Sequence, residues 1–299
     1  MSLPAISVVM PVHNGEAFVA EAVRSVLDQS FTDFEFVIVD DCSTDRTSDI
    51  LSGFDDPRLM VVRQQARMGV AAAMNVGMAL ARGDLIARMD ADDIALPDRL
   101  MVQSAFMRDN PDITVSGADI ELFGDITGTT QSDGGDAQIK AQLMAAAGNI
   151  MNPTAIFRAD FVKRHDLHCN PSFFAGSDYA FWVDCMLAGA TFANLRRVLV
   201  RYRYHGANVS VKPGRWSIID RIRRTVIAAY FPALSHDETA LLSALHDMPA
   251  DFGFNRVCAA IAAAEKAKGE TRSLFGEDRA RLAGIIDERV RVARKAMQG

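Results

Sequence analysis

The chain has 299 residues, 49% of them hydrophobic, enough for a sizeable core and too many for a disordered segment. The formal net charge is −6 and it is uneven: residues 214–299 hold 14 Lys and Arg against 11 Asp and Glu, whereas residues 1–213 hold 18 against 27. An acidic front argues against nucleic acid as its partner and suits a site that concentrates cations.

No run approaches the ~20 apolar residues of a membrane-spanning helix, and the first residues lack a basic stretch followed by a long apolar one. Both features predict a cytoplasmic protein, at most peripheral at the inner face of the membrane. Cys42, Cys169, Cys185 and Cys258 are scattered with no CxxC pair, which predicts reduced thiols rather than a zinc site or a disulfide framework.

The first hundred residues alternate strand and helix. "ISVVMPV" (6–12) reads as a buried strand, and the helix after it repeats Val19, Ala22, Val23, Val26 and Leu27 at helical spacing, with Asn14 as its expected cap. "FEFVIVDD" (34–41) is a second buried strand, followed by a short helix that starts near Ser43 or Thr44. "RLMVVRQ" is a third strand, and an Ala-rich helix closes at Gly83 in the expected C′ position. "DLIARMD" is a fourth strand, after which Pro97 opens another helix. Residues 112–210 are mixed: "DITVSGADIELFG" and "VLVRYRYH" read as strands, "DAQIKAQLMAAA" and "SDYAFWVDCMLAG" as helices. From Gly214 onward the pattern is helical.

This alternation implies an α/β fold with a mostly parallel central sheet flanked by helices, and ligands of such sheets bind beyond the carboxyl ends of the strands. Those ends carry "PVHN", "DDCS" and "DADD". Asp90 and Asp92 form D-x-D directly after a buried strand. Carboxylate oxygens are hard ligands for Mg2+ or Mn2+, and two from one turn leave coordination positions for water and substrate phosphates. The sequence has no P-loop, no G-x-G-x-x-G, no H-E-x-x-H and no G-x-S-x-G.

Four separated stretches, "ISVVMPVHNGEAFVAEAVRSVLDQSFTDFEFVIVDDCSTDRT", "RMGVAAAMNVGMALARGDLIARMDADD", "GSDYAFWVDCMLAG" and "YRYHGANVS", are similar to the family 2 glycosyltransferases of the GT-A fold, in the same order and over roughly residues 5–210. The resemblance implies transfer of a sugar with inversion from a nucleoside diphosphate donor, in family terms most often a UDP-sugar, to a glycan or lipid-linked acceptor in cell-envelope or capsule polysaccharide synthesis. It implies a GT-A domain over 1–212, with a nucleotide-binding half (1–110) and an acceptor and catalytic half (111–212), and a helical extension over 213–299. It also implies Mn2+ or Mg2+ as cofactor.

Residue by residue, the resemblance puts Pro11, Val12, His13 and Asn14 at the nucleotide end of the pocket, with Glu16 closing the turn. Asp41 would accept from the base, Asp40 would support it, and Arg67 would lie near the base. Asn75 and Gly77 would pack the Ala-rich helix against the donor. Asp90, Ala91 and Asp92 form the D-x-D turn, Asp178 takes the place of the general base, and His205 joins Asp90 and Asp92 at the metal. Asn152 would face the acceptor.

Each role has a plain structural alternative: Asp178 as a helix cap, His205 as a strand-end histidine, Arg67 as a solvated side chain, Asp40 as a structural carboxylate. Phe181, Trp182 and Met186 read as core, and His165 and His168 as surface. The amphipathic segment 214–231, with Trp216, reads as docking on its own domain or on a second copy, or as contact with an anionic membrane surface. Two other functions compete: a sugar nucleotidyltransferase, which the single glycine and missing basic residue of "PVHNGEAF" disfavour, and a non-catalytic nucleotide-sugar-binding scaffold.

Overall fold

The computed structural model describes residues 3–132, 134–145, 150–173, 176–206, 215–247, 253–269 and 279–296. The chain divides into two compact units, residues 1–135 with 150–212 and residues 136–149 with 213–299.

The first unit is built on a sheet. Its opening half runs β1 (Ile6–Val12), α1 (Val19–Leu27), β2 (Phe34–Asp40), α2 (Thr47–Ser52), β3 (Leu59–Arg63), α3 (Val70–Leu80) and β4 (Leu85–Arg88). Every residue of β1, β2 and β4 is buried, as expected for parallel strands covered on both faces. β1 pairs in parallel with β2 and β4, and β2 with β3, giving the order β3-β2-β1-β4. The sheet then continues through β5 (Ile94–Ala95), α4 (Arg99–Asp109), β6 (Val115–Gly124) and β7 (Gly128–Thr129). After the helix α5 (Asp136–Ala145) of the second unit come β8 (Ile156–Arg158), α6 (Ala159–Arg164), α7 (Ser177–Leu187) and β9 (Phe192–Tyr204). β8 is antiparallel to β4 and β6, β9 is parallel to β6, and β5 is antiparallel to β9. β5 therefore brings the segment after β4 alongside the end of β9.

Three local expectations need correction. Asn14 does not cap α1: it has φ of 52°, its side chain faces the loop after β2, and the Gly15 carbonyl accepts from Phe18 and Val19 instead. Gly83 is not a left-handed helix end. α3 ends at Leu80, and Gly83 is needed because a Cβ there would lie 2.6 Å from the Ser7 nitrogen of β1. Pro97 does not open α4, which starts two residues later at Arg99 behind Asp98. The short strands β5, β7 and β8 were not anticipated by the hydrophobic pattern.

The second unit is helical. To α5 it adds α8 (Arg215–Tyr230), α9 (His236–Asp247), α10 (Phe254–Gly269) and α11 (Arg279–Ala296). In α8, Ile219, Ile222, Val226 and Tyr230 are buried, and Ala229 is half-buried. The buried Arg223 of α8 bonds the Ser243 carbonyl and Asp247 of α9, and Lys266 of α10 pairs with Glu238 of α9. Among the described residues no helix is long and apolar enough to cross a membrane.

Candidate active site

Two loops at the carboxyl ends of β1 and β2 are stitched together. Beyond the pair Val9 and Arg88, β4 no longer runs beside β1, so Pro11 removes no bond to β4. Pro11 and Val12 are buried in the strand end. His13 Nδ1 meets the Asp41 carbonyl at 2.8 Å. The Asn14 amide donates to Ser43 Oγ at 2.9 Å, and its side-chain oxygen accepts from Thr44 N at 2.8 Å. Glu16 accepts from Arg46 N at the start of α2, while its own amide donates to Asp45. Asp40 is buried and accepts from Ser43 N and Ser48 Oγ. Burial alone would raise its pKa, but those hydrogen bonds and the nearby Arg63 outweigh it and hold the pKa below the ordinary carboxylate value. Asp41, also buried, accepts at 2.7 Å from both Met68 N and Gly69 N. It thereby fixes the loop that carries the exposed Arg67.

The turn after β4 behaves differently. Asp90, Ala91 and Asp92 are partly exposed, and Asp93 is completely buried. Asp92 Oδ2 lies 3.1 Å from His205 Nε2. Burial, and then repulsion from Asp90, raises the pKa of Asp92 despite that contact. Burial, and then Asp90 and Asp92 together, pushes Asp93 far above the carboxylate range; one of its oxygens accepts from Arg203 N, and the other has no hydrogen-bond partner among the described residues. Arg99, buried beneath the turn, donates to the Arg88 carbonyl and Gln103, and burial lowers its pKa to about 10 against the pull of Asp93.

Arg203 pins this turn to the end of β9. Its Nε donates to the Asp92 carbonyl at 2.9 Å, its Nη2 pairs with Glu21 of α1, and its guanidinium stacks 4.4 Å from the ring centres of both Phe18 and Phe123. The Phe18 ring also leans on His205, with centroids 5.4 Å apart.

The opposite flank is organised by Arg88. Its guanidinium lies 3.3 Å from Asp90 Oδ1. The orientation of the Asn152 amide that satisfies its neighbours puts the oxygen 2.7 Å from both Nε and Nη2 of Arg88 and 3.2 Å from Nη1. Burial opposes the charge of Arg88, yet Asp90 and Asp178 outweigh it and raise its pKa. Asp178 is half-buried in the first turn of α7, where Gly176, with φ of 98°, is the N-cap; the carboxylate accepts from its neighbour's amide, Tyr179 N.

The structure thus brings Asp92 and His205 together, turns Asp90 towards Arg88, and sets Asp178 within the field of the same arginine. Asn152, expected to face the acceptor, spends its oxygen on Arg88. The Asn75 amide bonds both the nitrogen and the carbonyl of Cys169, and a Cβ on Gly77 would lie 2.2 Å from Val9 Cγ1. Asn75 therefore anchors α3 to a loop, and Gly77 packs α3 on β1. Phe181, Trp182 and Met186 are core, as the sequence suggests, and His165 and His168 are exposed. Residues 207–210, the end of the last motif, lie outside the described residues.

Residues 7–183 match the model of glycosyl transferase family 2. The chain belongs to this family. The sheet order, with both acidic loops at its carboxyl edge, is a GT-A fold. This glycosyltransferase is 30% identical over 220 residues to an uncharacterized glycosyltransferase of Haemophilus influenzae, covering 69% of this chain and 68% of the relative. It is 29% identical over 206 residues to the Escherichia coli UDP-Glc:alpha-D-GlcNAc-diphosphoundecaprenol beta-1,3-glucosyltransferase WfaP, covering 69% and 79%. In fold it is similar to S. aureus TarS 1-349 in complex with UDP-GlcNAc, with a TM-score of 0.68 and 18% identity over 98% of this chain and 91% of TarS 1-349.

Among the described residues of this glycosyltransferase, no three His, Cys, Asp or Glu side chains form a ready metal cage. The donor set still fits a hard divalent cation. Asp92 Oδ2 and His205 Nε2, 3.1 Å apart, are spaced like neighbouring ligands of one ion with bonds of about 2.1 Å, and an Mg2+ site ordinarily leaves most positions to water and phosphate oxygens. Arg88, Asp93, Arg99 and Arg203 were missed by sequence reasoning. Arg203 had one available signal: in "RYRYH" it stands two residues before His205, on the same strand face.

Proposed function

We propose that this glycosyltransferase moves a sugar, with inversion, from a UDP-sugar to a glycan or lipid-linked acceptor in polysaccharide synthesis, with Mn2+ or Mg2+ as cofactor. The observation that carries the reading is the acidic turn. Its carboxylates crowd one turn, Asp93 buried and Asp90 and Asp92 partly exposed, with His205 against Asp92, an arrangement that favours a bound cation.

The uridine end of the donor rests on Pro11, Val12, His13, Asn14, Asp41 and Arg67, on a platform stiffened by Glu16, Asp40 and Asn75. Asp92 and His205, with Asp90 and Ala91 completing the turn, would hold the cation on the diphosphate side of the site. A bound divalent cation supplies Lewis-acid stabilisation of the charge that grows on the departing diphosphate, an effect of several kcal/mol. Asp178 accepts the proton of the acceptor hydroxyl as that oxygen bonds the anomeric carbon. The bond from the anomeric carbon to the diphosphate breaks on the opposite face, and its electron pair leaves with UDP. The similarity to WfaP, a diphosphoundecaprenol glucosyltransferase, supports a lipid-linked acceptor. Peripheral contact with a membrane belongs to the same proposal; among the described residues of the helical unit, Trp216 and Phe254 are exposed aromatic side chains.

A thermal-shift panel of UDP-, GDP- and dTDP-sugars with Mn2+, Mg2+ or EDTA tests the reading. A ligand that binds only the native state raises Tm. The expected result is a shift for UDP-sugars that EDTA abolishes, together with metal-dependent UDP release. No shift with any nucleotide sugar overturns the proposal.

A further inference from the structure

The two side chains read as cation ligands come from separate segments, Asp92 from the turn after β4 and His205 from the end of β9, 113 positions apart. With one ligand from each, the site is only as well defined as the join between those segments. Main-chain bonds fix the far side of the turn: β5 pairs with β9, the Leu96 amide donates to the Leu199 carbonyl at 2.9 Å, and the Arg203 amide donates to Asp93 Oδ1 at 2.8 Å. The carbonyl of Asp92 itself is held by a side chain. Arg203 Nε donates to it at 2.9 Å, from a residue two positions before His205.

Phe18 reaches the same join from a third segment. It is the N-cap of α1; its amide donates to the Gly15 carbonyl at 3.0 Å, and its carbonyl accepts from Glu21 N and Ala22 N. The start of the helix therefore sets its main chain, and its half-buried ring contacts both side chains of β9. The ring centre lies 4.4 Å from the guanidinium carbon of Arg203 and 5.4 Å from the ring centre of His205. Glu21, three residues further along α1, pairs with Arg203 Nη2, and the Phe123 ring of β6 also lies 4.4 Å from the guanidinium carbon.

Resting on the cation reading above, we infer that Phe18 and Arg203 are positioning residues for the cation ligands. Phe18 orients the ring of His205, Arg203 orients the peptide of Asp92, and the contact between them sets one ligand against the other. Neither offers a hard ligand atom. Groups that orient metal ligands commonly change metal affinity by about 10- to 100-fold without touching the metal. A leucine at position 18 keeps apolar bulk and loses the flat ring, whereas a tyrosine keeps it. A lysine at position 203 keeps the charge but, as a point donor, cannot serve the Asp92 carbonyl and Glu21 while lying against aromatic rings.

The test compares the full-length wild type with Phe18→Leu, Phe18→Tyr, Arg203→Lys and the Phe18→Leu, Arg203→Lys double variant. The Kd for UDP is read by calorimetry with saturating Mn2+ and again under EDTA, and the ratio of the two reports what the cation adds. That ratio should fall about 10-fold in Phe18→Leu and in Arg203→Lys and stay within about 2-fold of wild type in Phe18→Tyr, with the Kd under EDTA within about 3-fold throughout. The double variant should lose less than the product of the single losses, because the two side chains are in contact.

An unchanged ratio in either single variant, Phe18→Leu or Arg203→Lys, overturns the inference, so if one fails to fold the other decides. A Kd that rises as much under EDTA as with Mn2+ also overturns it, since a merely structural role would weaken both alike, and so do multiplying losses in the double variant. A wild type that binds UDP equally well with Mn2+ and with EDTA overturns the cation reading itself, a result distinct from a metal-dependent wild type whose variants keep its ratio.

Discussion

Two acidic loops stand side by side at the carboxyl edge of the sheet, and they solve the problem of clustered negative charge in opposite ways. In the loop after β2, Asp40, Asp41 and Asp45 are all matched by backbone amides or hydroxyls: Ser43 and Ser48 for Asp40, Met68 and Gly69 for Asp41, Thr47 and Glu16 N for Asp45. The pKa values of Asp40 and Asp45 are accordingly lowered, the hydrogen bonds prevailing over burial. In the turn after β4, the pKa values of Asp92 and Asp93 are raised by burial and by their neighbours, and an oxygen of Asp93 lacks a hydrogen-bond partner among the described residues. The first loop stabilises the fold as it stands. The second holds charge that the protein leaves uncompensated, and such residual frustration is concentrated where a ligand is to be bound.

The comparison breaks most visibly at Asp92. Asp92→Ala should reduce metal-dependent sugar transfer on the order of 100- to 1,000-fold, the equivalent of several kcal/mol of lost Lewis-acid stabilisation. The same variant should leave ligand-free stability in urea equal to or above wild type, since it removes a repelling carboxylate. Transfer rates and urea midpoints measured on one preparation check both halves.

Asp40→Asn should do the reverse, losing about 2–3 kcal/mol of stability in urea denaturation through weakened charge-assisted hydrogen bonds. Next comes Arg203→Lys, which keeps the charge but gives up the stacked fork between Phe18 and Phe123. A rise of about 10-fold in the Kd for UDP with Mn2+, with little change in UDP affinity under EDTA, would tie Arg203 to the cation side of the site. The smallest effect is on acid stability. Because the folded pKa of Asp40 is depressed, its contribution is complete above the ordinary carboxylate pKa and is lost as pH falls through the lower folded value. The stability of wild type should therefore drop more steeply than that of Asp40→Asn over that acidic window, as read by urea midpoints against pH.

How far the sequence reached follows from the range of the interactions involved. β1, β2 and β4 were legible because a strand buried on both faces must be a continuous apolar run, and the polar residues that close each one announce the edge where ligands bind. Asp90, Asp92 and His205 were legible from motifs, and the structure brings the last two to 3.1 Å across 113 positions of sequence. What stayed hidden depends on partners far along the chain. Asn14 looked like a helix cap because its Thr44 partner lies 30 residues away, and Gly83 looked like a helix end because its close approach to Ser7 is tertiary. Arg88 was in plain view inside "RMDADD". Its contact with Asn152 is tertiary, and neither hydrophobic period nor local propensity encodes it.

The proposed cation belongs to the second acidic loop and not to the first. Crystals soaked with UDP and MnCl2, with data collected at the manganese absorption edge, test this directly. An anomalous peak bonded to Asp92 and His205 and touching the diphosphate is the predicted result. A peak elsewhere, or none with UDP fully bound, would contradict it.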